Sequence, residues 1–358
     1  MTIKQEQQEA RTEVEQVAPG VLRMQLPIAI PGLRHVNMYC LPDERGATLV
    51  DPGLPDEASW AALCERLHQA DLELRHIHTV LVTHSHPDHF GGAARLREAS
   101  GARVIVHEDF SIFGERPELA HAHVEVSVEH LAPRAVVELS SEARAVFPNG
   151  MFIPWGGAVP TSADRDRKEW ERIRESSSRG MLPPVTHVVR HGDVLRLGKR
   201  SFSVVHSPGH TGDHICFYDR EDGTLIAGDH VLPSITPHIS GLNRLVDPLQ
   251  VFFDSLDRML ELDFVQQCLP AHGDPFADLP GRIEAIKRHH RERLDKLAAI
   301  ARDFGKPASV RDYSCALFSE RAWGIMAESE TYAHLEHLRL LGRAESRRDP
   351  HGLLLYEA

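Results

Sequence analysis

The sequence predicts a β-rich α/β fold, and three observations predict it. Short apolar runs alternate with Pro, Gly and Asp turns between residues 20 and 51. An apolar strand that ends abruptly in a polar loop then recurs along the chain, and helical spacing of apolar residues is confined to segments between and after those strands.

Taken in order, VLRMQL, HVNMYCL and ATLVD read as successive strands joined by tight connections, and residues 56–69 as a helix. HTVLV is a strand that breaks into the polar loop THSHPDHFGG and restarts as a helix near Gly92, with another strand over 103–107. The strand-then-polar-loop pattern returns at SFSVVHSPGH, GTLIAGDH and VQQCLPAHG. Residues 110–186 break it, and a stretch of that length predicts an inserted cap, with Phe147, Met151, Phe152, Ile153 and Trp155 as its apolar cluster. Phe152 and Trp155 either line an acyl pocket or plug the cap against the core.

Beyond the last repeat, Ile283, Ile286, Leu294, Leu297 and Ile300 line one face of a helix over 281–303. Ser309 with Asp312 three residues on marks a capped helix start, and a further helix over 329–341 closes at Gly342. RAESRR-DPHG-LLLYE completes the chain as a hairpin turning at Pro350 and Gly352. The expected organisation is a flexible tail (1–16), a catalytic core (17–280) with the cap inserted at 110–186, and a C-terminal helix plus winged-helix-like module (281–358).

Composition narrows the class. With 42% hydrophobic and 26% charged residues over 358 positions the chain is globular, and no apolar run approaches the ~20 residues of a membrane span. The polar start MTIKQEQQEARTEVEQ reads as neither signal nor transit peptide. Five scattered cysteines without a C-x-x-C pair predict a reducing, cytoplasmic setting. The net charge of −12 repels polyanions, and the residues after Pro280, at 14 Lys and Arg against 12 Asp and Glu, are only weakly basic. Nucleic acid is therefore not an expected partner.

The chemistry concentrates in Thr83-His84-Ser85-His86-Pro87-Asp88-His89, where three imidazoles and a carboxylate crowd one loop at a strand end. In an extended loop His84 and His86 project to the same side and can grip one cation, while Asp88 and His89 turn toward a second. The remaining donors each stand just past an apolar strand: His210 in Ser-Pro-Gly-His-Thr, Asp229 in Ala-Gly-Asp-His and His272 in Pro-Ala-His-Gly. Gly209, Gly228 and Gly273 suit tight turns against a crowded centre. The expected assignment is His84, His86 and His210 on one metal, Asp88, His89 and His272 on the other, and Asp229 bridging both. A lone His is more often a core or surface residue than a ligand, but seven donors in this arrangement are not explained that way.

The motifs THSHPDH, SPGHT, AGD and PAHG, in this order and spacing, resemble the metallo-β-lactamase superfamily of hydrolases over roughly residues 20–280. The resemblance implies a four-layer αββα sandwich with a dinuclear site at its edge, two divalent ions, zinc most often with manganese or iron in relatives, and an acidic residue, Asp51, beneath the ligand loop. Thr83 and Thr211 are candidates for similar support. The tail resembles the winged-helix module of a subgroup with thioesterase-like and ribonuclease-like members.

Two cations ~3.5–4 Å apart lower the pKa of a bridging water toward neutrality, so the expected nucleophile is hydroxide, with Asp88 and Asp229 as the catalytic carboxylates. The expected reaction is hydrolysis of a small acyl compound, a thioester of acyl-CoA or acylglutathione type or a lactone. The alternative is a phosphodiesterase or ribonuclease that holds nucleic acid with the tail. His230 and His238 stay open between structural and substrate-contacting roles, and His107 is open to a substrate-facing one. His187, His191, His206, His289 and His290 are expected to be solvated or capping, and a homodimer is left open.

Overall fold

The computed structural model describes residues 3–30, 32–112, 153–157, 183–243 and 245–357. Most of the cap expected at 110–186, with Phe147, Met151 and Phe152, lies outside the described residues.

Two sheets face each other. The first has seven strands in chain order: β1 (Glu15–Ala18), β2 (Val21–Ile30), β3 (Leu33–Asp43), β4 (Gly46–Val50), β5 (Ile77–Leu81), β6 (Arg103–His107) and β7 (His187–Val189). The strands β1 to β4 are antiparallel neighbours, and β4 to β7 run parallel. Parallel neighbours need a crossover. Helix α1 (Glu57–Gln69) supplies the one between β4 and β5, started by Asp56, whose side chain accepts from Ser59 N. Helices α2 (Pro87–Phe90) and α3 (Ala93–Ser100) supply the next, and α3 stops at Gly101 in the left-handed region. The second sheet is ordered β12 (Gln267–Pro270), β11 (Thr224–Gly228), β10 (Ile215–Asp219), β9 (Arg200–His206) and β8 (Val194–Leu197).

Three apolar clusters make the layers. One lies between the sheets, with Tyr39, Leu41, Val50 and Leu81 meeting Phe202, Val204, Phe217 and Ile226. A second packs Leu63 and Leu67 of α1 and Leu96 of α3 on the outer face of the first sheet. The third covers the outer face of the second sheet with α4 (Pro248–Leu260) and α5 (Leu279–Phe304) and continues into the C-terminal residues Val310, Tyr313, Leu335 and Tyr356. The result is the αββα order expected, with the C-terminal segment sharing the third core. Each fully buried Leu or Phe there stabilises by about 1.5–3 kcal/mol, so the C-terminal segment cannot detach without exposing that core.

After α5 come β13 (Ala308–Ser309), α6 (Val310–Leu317), α7 (Ile325–Leu340), β14 (Glu345–Arg348) and β15 (Leu354–Glu357), the strands forming a small sheet in the order β13, β15, β14. Ser309 and Asp312 form the reciprocal capping box, and Gly342 follows α7 with φ 70°. Helix α7 begins four residues ahead of the expected 329, because its buried face carries Glu328, Ser329, Thr331, His334 and His337 among the apolar residues. Apolar spacing under-reports such a helix. Among the described residues no helix is long and apolar enough to cross a membrane.

The N-terminal segment departs from the loose tail expected. Glu6, fully buried, accepts from Ser234 N at 2.8 Å and Ile235 N at 3.0 Å, and Gln5 accepts from Asp274 N at 3.0 Å. A carboxylate satisfied by backbone N–H groups is stable when buried, and this one ties the segment to two loops of the core.

Candidate metal centre

The loop after β5 is shaped by Pro87. A residue before proline is pushed out of the helical region, and His86 is extended at φ −90°, ψ 144°, while proline itself suits the first helical position. His84 and His86 therefore alternate along extended chain, and Asp88 and His89 ride the first turn of α2. One loop thus aims donors in two directions.

All seven predicted donors converge. His86 Nδ1 lies 3.0 Å from both His84 Nε2 and His210 Nε2, and Asp229 Oδ2 is 3.5 Å from His210 Nε2. On the other side Asp88 Oδ2 stands 3.4 Å from His89 Nε2 and 3.5 Å from His272 Nε2. Asp229 reaches both groups, with Oδ2 3.6 Å from His89 Nε2 and Oδ1 3.3 Å from His272 Nε2. Donor atoms of His84, His86, His210 and Asp229 lie within 4.8 Å of one another, as do those of Asp88, His89 and His272. The four strand ends after β5, β9, β11 and β12 supply the whole set.

Four of the five imidazoles are oriented by a bond at the outward nitrogen. His210 Nδ1 donates to the His238 carbonyl at 2.6 Å, His272 Nδ1 to the His35 carbonyl at 2.6 Å, His89 Nδ1 to Asp51 Oδ2 at 2.9 Å, and His84 Nδ1 faces Thr83 Oγ1 at 3.0 Å. Thr83 Oγ1 donates onward to Asp51 Oδ2 at 2.7 Å, which leaves it free to accept from His84. Each Nε2 therefore turns its lone pair inward, the arrangement that metal-ligating histidines use.

The donors fit divalent cations. His89 Nε2, His272 Nε2 and Asp229 Oδ1 are buried and have no hydrogen-bond partner, though all face the centre. Burial and neighbouring imidazoles hold His84 well below the usual histidine range, bring His86 down to about 3 and lower His210, so these three are neutral donors. His89 and His272 are raised against the opposing effect of burial, by Asp88 and Asp229 for the first and chiefly by Asp229 for the second. Asp88 in turn is lowered to about 2 in spite of its burial, chiefly by His89. Those carboxylates thus demand positive charge, which a cation supplies as well as a proton does.

Of the residues that support the centre, Asp51 is the one the resemblance implied, whereas His214 and Asn37 escaped the sequence reading. Asp51 sits at φ 57°, a conformation uncommon outside glycine, and there accepts from Thr83 N, Thr83 Oγ1 and His89 Nδ1. His214 is fully buried; its Nε2 accepts from Asp229 N at 3.1 Å, and its Nδ1 bonds Ser207 Oγ at 2.8 Å. Asn37 Nδ2 donates to the carbonyls of Pro270 and Gly273, both at 2.8 Å, bracketing His272. At Gly228, φ 52°, a Cβ would meet His214 Nε2 at 2.7 Å. Asp51 was found through its place in Leu-Val-Asp-Pro-Gly at the end of β4; His214, fifteen positions before Asp229, offered no such signal.

Other expectations are corrected or resolved. Thr83 takes the supporting role, whereas Thr211 bonds no ligand imidazole and its hydroxyl is buried without a partner. His230 is fully buried against Phe252, and His238 serves His210 through its backbone carbonyl. His290 is fully buried, not solvated, and its Nδ1 lies 3.0 Å from His334 Nε2. His206 stacks on His107 with ring centroids 4.1 Å apart, held there by the meeting of the β6 and β9 ends.

Comparison with known proteins agrees with this geometry. The model of the metallo-beta-lactamase superfamily matches residues 31–300. An atrochrysone carboxyl ACP thioesterase of Claviceps purpurea is 26% identical over 86% of this chain and 75% of its own length. An acyl-coenzyme A thioesterase of Gallus gallus is 30% identical over 53% of this chain and 65% of its own. Among solved structures, a metallo-beta-lactamase family protein from Thermus thermophilus superposes with TM-score 0.69 at 27% identity, covering 96% of this chain and 99% of that one. A beta-lactamase domain protein from Burkholderia ambifaria gives TM-score 0.72 at 26% identity, over 98% and 96%.

Proposed function

The chain belongs to the metallo-beta-lactamase superfamily, a family of hydrolases, and from that membership we propose that it is a dinuclear metal-dependent hydrolase of acyl thioesters. The observation that carries the metal part is the convergence of seven donors, six of them buried and His86 half-buried, with four of the five imidazoles tied down at the outward nitrogen. The relatives named as acyl-carrier-protein and acyl-coenzyme A thioesterases support the substrate class. Lactones, which share the electrophilic acyl carbon, come second.

His84, His86 and His210 would hold one ion, Asp88, His89 and His272 the other, with Asp229 reaching both. Bound there, divalent cations supply Lewis acidity, which lowers the pKa of water and polarises an acyl oxygen. Zinc suits this nitrogen-rich set, with manganese or iron as alternatives. The chain's own part is orientation and proton handling. Asp51, Thr83 and the carbonyls of His35 and His238 keep the imidazoles in one tautomer. Asp88 Oδ2, between His89 and His272, is placed to take a proton from attacking water and return it to the leaving thiolate as the acyl C–S bond breaks. Water adds to the acyl carbon, and the products are a carboxylic acid and a thiol.

A panel of acyl-CoA, acylglutathione, lactone and phosphodiester substrates, each assayed with and without chelator, tests the reading. Chelator-sensitive thiol release from thioesters is expected. Turnover of the phosphodiester alone would replace it with the nucleic-acid reading, which the charge of −12 does not favour. Undiminished turnover at less than one equivalent of metal would end it.

A further inference from the structure

We propose that helix α7 of the C-terminal segment positions the ligand His210, acting through the loop at residues 238–241 and anchored by Glu330, Ser329 and the close approach of Gly241. The inference rests on the reading of His210 as a metal ligand and adds to it a source of control outside the family's matched core.

The contacts form one path. His210 Nδ1 donates to the His238 carbonyl at 2.6 Å, so whatever places residue 238 also places the imidazole. The His238 ring faces Glu330 of α7, Nδ1 to Oε2 at 3.5 Å, and the other oxygen of that carboxylate pairs with Arg293 of α5. Three residues on, Gly241 N donates to Ser329 Oγ at 3.0 Å. Gly241 also lies so near the helix that a Cβ would stand 2.5 Å from Tyr332 Cδ1 and 2.7 Å from the Ser329 carbonyl oxygen. Only glycine permits that approach. Just past that loop, Asn243 Nδ2 donates to the Gly209 carbonyl at 3.4 Å, immediately before the ligand.

Glu330 is a positioning residue and touches neither donor group. Its carboxylate is held below the usual range by Arg293 and His238 in spite of its burial, so it stays charged and keeps hold of the loop. Outer partners of metal ligands commonly contribute 10–100-fold to metal affinity, and this path reaches one such partner, the His238 carbonyl, from Glu330, 92 residues away in sequence.

The test uses full-length protein stripped of metal and titrated with zinc against a chromophoric chelator, and with cobalt followed by its d–d absorbance. Gly241→Ala and Glu330→Gln should each weaken one of two equivalents by ~10–100-fold and change the cobalt band of that equivalent, leaving the other equivalent as in wild type. Circular dichroism of each metal-free variant should match wild type. The proposal is overturned if both variants titrate as wild type does, or if both equivalents weaken together. His210→Ala is the separate control: should it still bind two equivalents with wild-type affinity, the ligand reading itself falls, whatever the α7 variants do.

Discussion

Asp51 accepts a hydrogen bond from His89 Nδ1 at 2.9 Å while holding its own backbone at φ 57°. One residue thus combines a strained conformation with the orientation of a ligand imidazole, and the ladder bond from Asp51 N to the Leu81 carbonyl helps keep it there.

Replacing Asp51 separates the two roles. Asparagine tolerates the left-handed region but cannot accept all three bonds, so Asp51→Asn should lower affinity for the metal at His89 by ~10–100-fold with little loss of stability. Alanine adds about 1–2 kcal/mol of backbone cost and leaves buried donors unpaired, so Asp51→Ala should also unfold at lower denaturant. Chelator competition and urea unfolding read the two effects.

Asp229 and His86 differ in reach. Asp229→Ala removes a carboxylate near both donor groups and should cost both metal equivalents, whereas His86→Ala should cost one. Each should lower kcat on the order of 10²–10³-fold or more, with circular dichroism unchanged. Metal content at saturation, or equal activity in either variant, checks the assignment.

The pH dependence of stability should carry the mark of His334. Burial brings its imidazole down to about 4, so below the ordinary histidine value near 6.5 the unfolded chain takes up a proton that the folded chain refuses. Stability from this group is complete above that value and is lost as pH falls toward 4, by on the order of 2–3 kcal/mol. In chelator-treated protein, His334→Gln should flatten the acid limb of the unfolding midpoint between those limits.

Trp155 tests how the segment 153–157 packs on the C-terminal residues. Its Nε1 donates to the Glu328 carboxylate at 3.0 Å, and its carbonyl accepts from Leu354 N of the terminal hairpin at 2.9 Å. Trp155→Phe should cost about 1–3 kcal/mol by stranding Glu328, and Trp155→Ala about 3–5 kcal/mol by opening a cavity. Guanidinium midpoints measure both.

Much of the centre was legible because its information is local. Pro87 after His86 turns the loop by its own stereochemistry, and each further donor follows directly on an apolar strand. The Ser309–Asp312 box, the 279–304 helix and the terminal hairpin are local in the same sense. The start of α7 was not, since its inward polar residues disguise a buried face. Glu6 was not either, because the loop it binds lies more than two hundred positions away.

By itself, then, the sequence determined which side chains can donate to cations, where strands end and which turns carry them, because backbone stereochemistry and short-range periodicity act within a few residues. Only the tertiary structure decided which tautomer each imidazole holds, that His214 supports the Asp229 backbone, and that α7 lies against Gly241. Those outcomes depend on distances of a few ångströms between segments far apart in the chain, and they exist only once the three cores have packed.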